Sequence, residues 1–452
     1  MSLRTYTRVA LALALAAPAS AACAPPPPTT TAEPAPARPE PAAAPRTDPA
    51  PSPPALPLAP RPPTGALATL DGQRVLHLWG TPAEMGHAHG YLLRDAIIAL
   101  VDGYALAALP PSTFAAAAPH FDRVATIAPA LRDEAAGVID GMRAAGGAFI
   151  PGLGRDLTPA DLLFVNALTD WVAIGCSSVS AWGAATRADP ALAGDLAIVR
   201  NLDWADHPTL LEGQVIFALD PQDPRAQRVV SVAFAGYLGC LSCVNEAGVA
   251  ALFNMAYGSG ASRARALAGF SPANLLLRAA LAERDHDGDG RSTGDDVVTA
   301  LREATHAGSY LVHLVEPAGP TSGPAPARIV EVEAAGVAVR GPDEASALGP
   351  AALAATNHLR ALAPPEACSR YRRIERSARA AGGEFTREDL WRLGESLRID
   401  DQVVHTILVE PRARRLRVRM RAPGRTMDAS PPPVEHTWER LFHGRRRGAD
   451  PT

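Results

Sequence analysis

Apolar and polar positions alternate over Val75–Trp79, which predicts a strand, and a helix-start signal follows directly. Thr81 is placed to cap, Pro82 stands in the first turn and Glu84 sits three residues after the cap. Helical signals return from Phe121 to Ala145 and from Pro159 to Trp171, the second behind Thr158 as cap. One strand is predicted to open at Gly175 and Cys176, and the next to run through Ile198 to Trp204. After Asp203 the pattern changes to short β runs: Gln214–Leu219, Arg228–Phe234, Leu238–Val244 and Val249–Met255, with Asn245-Glu246-Ala247-Gly248 as a hairpin turn. Helical segments Ala273–Glu283 and Asp296–Ala304 flank a polar loop. Strands at Tyr310–Val315, Arg328–Val332 and Val337–Arg340 follow, and a helix begins around Cys368–Arg373. A hairpin of Val404–Val409 with Arg415–Met420 and a short helix at Thr437–Phe442 close the pattern. Strands spaced this regularly indicate antiparallel sheet, and the helices ahead of Gly175 carry apolar faces that need covering.

This patterning is missing from the start of the chain. Met1 to Ala22 reads as an export signal, with Arg4 and Arg8 ahead of an apolar run, Val9 to Ala17, too short to span a bilayer. Ser20-Ala21-Ala22-Cys23 is similar to the lipobox of bacterial lipoproteins, with Ser20 where an aliphatic residue is usual. Two outcomes therefore stand: lipidation of Cys23, or ordinary cleavage after an Ala-x-Ala site. The protein is expected to be exported, either anchored to a membrane by lipid alone or periplasmic or secreted. From Ala24 to about Thr64 the chain is mostly Pro, Ala and Thr, a composition that forms an extended tether rather than a core. The expected division is a signal at 1–22, lipidated Cys23 and tether at 23–66, an amino-terminal segment at 67–175, a catalytic region at 176–445 and a tail at 446–452.

The 452 residues, 47% of them hydrophobic, suffice for a large core. A net charge of -4 and the lack of any recognition module argue against nucleic acid as a partner. There is no GxSxG elbow, HExxH or Gly-rich phosphate loop, which removes the common serine-hydrolase, zincin and nucleotide readings. Of the five cysteines, Cys23 is consumed if lipidated. That leaves Cys176 free and at most one disulfide among Cys240, Cys243 and Cys368.

Cys176 follows Gly175, whose carbonyl a thiol can attack with little steric opposition because Gly has no Cβ. Cleavage there would make Cys176 an amino terminus carrying its own base, since an α-amino group titrates at about 7.7 to 8.0. Arg200 would favour the thiolate, and Asp203 would hold the new amine. Gly-Cys opening one strand and Arg200-Asn201-Leu202-Asp203 ending the next resemble the amino-terminal-nucleophile (Ntn) cysteine hydrolases of the choloylglycine hydrolase, acid amidase and isopenicillin N acyltransferase type. Met85-Gly86-His87-Ala88-His89-Gly90 is similar to a segment near the start of the same family, with both histidines read as structural.

The resemblance implies an α+β fold, a four-layer αββα sandwich of two antiparallel sheets. It further implies that Asn357, in Thr356-Asn357-His358, helps form an oxyanion hole, and that Arg370, in Ser369-Arg370-Tyr371, lies in the active site. Asn245 becomes a substrate-binding candidate, or is simply a good turn former. The implied activity is autoprocessed hydrolysis or acyl transfer on a linear N-acyl amide through a Cys176 thioester, without a catalytic cofactor and with the cleaved halves still associated. Bile-salt conjugates, fatty-acid amides, β-lactam side chains and acyl peptides all remain open as substrates.

Asp285, Asp287, Asp289, Arg291 and Asp296 occupy positions one, three, five, seven and twelve of a loop over 285–296, with Gly290 at six. This matches an EF-hand or dockerin-like calcium loop, with Asp296 shorter than the usual Glu and Ser292 where an aliphatic residue is usual. Calcium is expected here in a structural role. Two other functions fit the same residues: a non-catalytic, calcium-stabilised surface lipoprotein used for binding, and a phospholipase-like lipid hydrolase on the same fold.

Overall fold

The computed structural model describes residues 62–170, 174–256, 266, 268–317, 325–343, 346–364, 367–399 and 401–442. The signal, Cys23, nearly all of the tether and the tail lie outside these residues, as do Trp171 to Ala173.

In chain order the strands are β1 (Gly65–Leu70), β2 (Gln73–Gly80), β3 (Phe149–Ile150), β4 (Arg155–Asp156), β5 (Gly175–Ala181), β6 (Ala197–Asp203), β7 (Gln214–Pro221), β8 (Val229–Phe234) and β9 (Ser242–Asn245). They continue as β10 (Ala250–Met255), β11 (Tyr310–Val315), β12 (Ala327–Glu333), β13 (Gly336–Arg340), β14 (Ala352–Ala355), β15 (Val403–Glu410), β16 (Arg415–Met420) and β17 (Val434–Thr437). The longer helices are α1 (Pro82–Leu100), α2 (Pro111–Val124), α3 (Pro129–Ala144), α4 (Pro159–Ala167), α5 (Ala273–Ala282), α6 (Gly294–Glu303), α7 (Ser369–Ala380) and α8 (Arg387–Leu397).

A nine-stranded sheet runs β1-β2-β7-β8-β9-β10-β11-β12-β13 and a six-stranded sheet runs β14-β5-β6-β15-β16-β17. Three layers of buried side chains separate four layers of structure. One lies between the helices of the amino-terminal segment and the larger sheet, one between the sheets, and one between the smaller sheet and α7 and α8. Strand alternation sorts residues among them: Val215, Phe217 and Leu219 of β7 belong to the helix side, Ile216 and Ala218 to the intersheet side. This is the αββα sandwich that the resemblance implies. Within the larger sheet β2 lies parallel to β7, because the chain makes its whole helical excursion between them; every other pairing between these strands is antiparallel.

Several elements differ from the sequence expectation. Regular structure begins at Gly65, two residues before the expected boundary, in a strand the pattern had not indicated. The helix expected from Phe121 to Ala145 is two helices, since Pro129 disfavours the helical region for the residue before it and Ala128 is extended (φ -53°, ψ 134°). The run Leu238–Val244 is strand only from Ser242, and a disulfide joins Cys243 of this strand to Cys240 just ahead of it. The two remaining described cysteines, Cys176 and Cys368, are buried and lie outside that disulfide. Thr81 and Thr158 both close the capping boxes read from sequence.

The Met85–Gly90 segment acts through its glycines. A Cβ on Gly86 or Gly90 of α1 would lie 2.0 or 1.9 Å from a backbone oxygen of α3, and one on Gly137 or Gly141 of α3 would lie 2.2 or 2.0 Å from a backbone oxygen of α1. The two helices therefore pack backbone to backbone. His89 is buried and its Nε2 accepts from the Gly236 N–H at 2.9 Å, the structural use expected of it.

Candidate active site

β5 and β6 are neighbours in register, with Gly175 opposite Asp203, Cys176 opposite Leu202 and Ser178 opposite Arg200. Opposed residues share a face, so the pairing places Cys176 and Arg200 together on the side of the smaller sheet that meets the larger one. Arg200 Nη2 donates to Cys176 Sγ at 3.4 Å and to the Phe253 carbonyl of β10 at 2.8 Å. Space at Gly175 is tight: a Cβ there would sit 2.9 Å from Ile399 Cδ1 and 3.1 Å from Asp203 Cβ, so both neighbours would have to shift.

The loop after β14 brings in Asn357, and the first turn of α7 brings in Arg370. Asn357 Oδ1 accepts from the Cys176 N–H at 3.0 Å, while its Nδ2 donates to the Ile174 carbonyl at 3.1 Å and the Met255 carbonyl at 2.7 Å. One amide thus grips the chain on both sides of Gly175. Arg370 donates from Nη2 to Asn357 Oδ1 at 2.6 Å, and from Nη1 to the Cys176 carbonyl at 3.0 Å and Asp203 Oδ2 at 3.1 Å. The Ile399 N–H donates to the other Asp203 oxygen at 3.2 Å. Gly175, Cys176, Arg200, Asp203, Asn357 and Arg370, chosen from sequence, therefore meet at one place.

All of it is buried, which sets the electrostatics. Burial pushes the Cys176 thiol up, opposed by Arg200; Asp203 adds to the rise, and Arg370 and the Met255 N–H oppose it. Burial also raises Asp203 to about 6, opposed chiefly by Arg370 and the Ile399 N–H. The two guanidinium groups are the charges that favour a thiolate against this burial.

Asn245 is not brought into this network. Its Oδ1 accepts from the Val249 N–H at 2.9 Å and its Nδ2 donates to the Leu281 carbonyl at 3.3 Å, both within its hairpin and the adjoining α5. The asparagine of this hairpin that reaches the site is Asn254, which the sequence reading passed over. Its Nδ2 donates to the Thr356 carbonyl at 3.2 Å, beside Asn357, and its Oδ1 is buried with no hydrogen-bond partner among the described residues. The available signal was a wholly buried amide at the end of an otherwise apolar strand. His405 on β15, 3.3 Å from Arg200 through Nε2, was passed over in the same way.

Beside Asp203, Trp204 enters the wall of an apolar cavity. Ile97, Tyr104 and Leu162 line it from the amino-terminal side of Gly175, and Trp204, Phe234 and Tyr237 from the carboxyl-terminal side. The single turn of π-helix at Val101–Ala105 forms part of this wall.

In the 285–296 loop, carboxylate oxygens of Asp285, Asp287 and Asp289 lie within 4.8 Å of one another. Asp296 is turned to other work. It closes the capping box of α6, and its oxygens accept from the backbone N–H groups of His286 at 2.6 Å and Thr293 at 2.7 Å. The Arg291 N–H donates to Asp289 Oδ1 at 2.8 Å.

No family model matches the chain and no curated protein matches it by sequence. Solved structures to which it is similar include an N-acylethanolamine-hydrolyzing acid amidase ortholog of Caenorhabditis elegans, at 14% identity and TM-score 0.40 over 52% of this chain and 93% of that one. Another is penicillin V acylase from Agrobacterium tumefaciens, at 11% identity and TM-score 0.36 over 54% and 83%. A third is a mutant conjugated bile acid hydrolase from Clostridium perfringens, at 11% identity and TM-score 0.31 over 57% and 96%. Likenesses of this size decide nothing about chemistry, and the site is read from its own atoms.

Proposed function

We propose that the chain is an autoprocessed cysteine amidohydrolase or acyltransferase acting on linear N-acyl amides. The observation that carries this reading is the side chain of Asn357, which holds the Cys176 N–H and the Ile174 carbonyl and so frames the Gly175–Cys176 peptide beside a thiol in contact with Arg200.

In processing, Cys176 Sγ adds to the Gly175 carbonyl carbon, the peptide C–N bond breaks, and the Cys176 nitrogen leaves as a free amine. Water then hydrolyses the thioester, releasing Gly175 as a carboxylate and restoring the thiol. Asp203, opposite Gly175 in register, is placed to hold the new amine. Once Ile174 departs, Asn357 Nδ2 regains a free N–H directed at the vacated carbonyl position, as an oxyanion donor requires.

In turnover the amine takes the thiol proton and Cys176 attacks the substrate carbonyl. The leaving amine receives that proton, and a thioester remains for water or a second amine. The apolar cavity beside Trp204 supports an apolar acyl group as the part of the substrate held there. It draws its walls from both sides of Gly175, so activity requires that the cleaved halves stay together. Calcium on Asp285, Asp287 and Asp289 belongs to this reading as a structural ion only.

A chromogenic N-acyl anilide tests the reaction. A stoichiometric burst of amine ahead of acid release, with an acyl adduct on Cys176 trapped by hydroxylamine, is the expected result. Amide hydrolysis with neither burst nor adduct contradicts the thioester.

A further inference from the structure

Arg200 is wholly buried, and among the described residues no carboxylate is in hydrogen-bond contact with it. Its partners are His405 Nε2, the Phe253 carbonyl and the Cys176 thiol, while its Nε has none. Asp203, the nearest acid on the same strand, is held by Arg370 and the Ile399 N–H. A guanidinium does not shed its proton, and a buried charge is costly unless paired. The anion that can form in direct contact with this one is the Cys176 thiolate.

His405 reaches Arg200 through an irregularity in the sheet. Val403 of β15 pairs with Asp203 of β6, and His405 pairs with Leu202, so β15 spends one extra residue, Val404, against β6. In regular pairing His405 would stand opposite Asn201, whose side chain bonds to the Gly394 carbonyl of α8. A slip of one residue exchanges faces. The bulge therefore carries His405 to the intersheet side, where Arg200 Nη1 lies 3.3 Å away.

We propose that His405 is a positioning residue that receives Arg200 Nη1 as a neutral acceptor, holding Nη2 on the Cys176 thiol without neutralising the guanidinium. Since Nε2 accepts, the ring proton is assigned to Nδ1. Burial, with Arg200 alongside, presses the imidazole well below its ordinary range and keeps it uncharged. A carboxylate in this place would form the ion pair that the geometry otherwise reserves for the thiolate. The titratable groups that act on Arg200 are Cys176 from β5, Asp203 from β6 and Tyr237 after β8, His405 feels Arg200 itself, and Arg370 from α7 acts one step away, on Cys176 and Asp203.

The test compares His405→Gln, a neutral acceptor, with His405→Glu and His405→Asp, which bring a charge. The rate of Cys176 alkylation by iodoacetamide is followed against pH, read by mass on the peptide that carries Cys176, so that Cys368 and the tyrosines do not enter the midpoint. The Gln variant is expected to titrate with wild type, and an acidic variant to raise the midpoint by about one unit, a tenfold loss of thiolate at a given pH below it. The two acidic variants keep the comparison open should one fail to fold. Acidic variants that titrate with wild type, or a Gln variant that shifts as far as they do, would overturn the proposal. The inference rests on the nucleophile reading of Cys176. Wild-type processing and turnover report on that reading and the midpoints on His405, so the two failures are distinguishable.

Discussion

Asn357 uses all of its side-chain amide on the chain around the Gly175–Cys176 junction, the Met255 carbonyl and Arg370. Asn357→Leu keeps roughly the volume and removes every one of these bonds. It is expected to stop processing and, in any material cleaved by other means, to lower kcat by about 10²- to 10³-fold, the cost of one oxyanion donor. Processing of Asn357→Leu at the wild-type rate in a timed mass measurement would contradict that role.

A second residue ties the nucleophile strand to the other sheet. His313 on β11 meets Ser178 Oγ at 2.9 Å through Nδ1 and Ser180 Oγ at 2.9 Å through Nε2. Burial, then the field of Arg340, lowers its pKa to about 3, so the folded protein holds it neutral. The unfolded chain takes up a proton near pH 6.5, and the folded chain does so only near its depressed value. Stability from this residue is therefore complete above pH 6.5 and lost as pH falls toward the folded value. His313→Gln should flatten the dependence of unfolding free energy on pH between 6 and 4 by about 1.4 kcal/mol per pH unit. Denaturant unfolding at several pH values measures it, and an unchanged slope would show that His313 is charged in the fold.

Single residues were legible in proportion to how local their signal is. Gly175, Cys176, Arg200 and Asp203 sit in a short run, and the structure brings them together on β5 and β6. Asn254 and His405 are polar breaks in apolar strands, and their use depends on which strand lies across the sheet or the intersheet space. No window of sequence contains that.

At the scale of elements, α1 and α3 pack backbone to backbone through Gly86, Gly90, Gly137 and Gly141. Gly90→Ala would place its Cβ 1.9 Å from the Val138 carbonyl oxygen, a backbone atom that cannot rotate away. Helix propensity alone favours Ala by up to about 1 kcal/mol, so the exchange separates packing from propensity. It is expected to destabilise by about 2–3 kcal/mol in denaturant unfolding, as overpacking does; a neutral or stabilising result would show that the helices can part.

Helix starts at Thr81 and Thr158 were readable because capping chemistry is local. The break at Pro129 was equally local and was overridden by the apolar period on either side of it. The β15 bulge is of another kind, since only the pairing with β6 defines it.

At the scale of the molecule, antiparallel sheet was legible from regular strand spacing, and the sandwich from the family resemblance. The parallel pairing of β2 with β7 was not, because strand periodicity carries no information about direction. The loop over 285–296, with its three clustered carboxylates, belongs to this scale too, since it joins α5 to α6. Added calcium is expected to raise Tm, and Asp287→Asn with Asp289→Asn to abolish the rise. No rise at millimolar calcium would leave the three carboxylates as a solvated cluster. The cavity beside Trp204, walled from both sides of Gly175, makes the whole reading depend on the chain being cut while its parts remain joined.

That dependence is tested most directly by intact mass and amino-terminal sequencing of the purified protein beside its Cys176→Ala variant. The account predicts a wild-type fragment beginning at Cys176, co-purifying with the segment before it, and a single uncut chain in the variant. An uncut wild-type chain that still turns over an amide would contradict it, because Cys176 would then have no amine to act as its base.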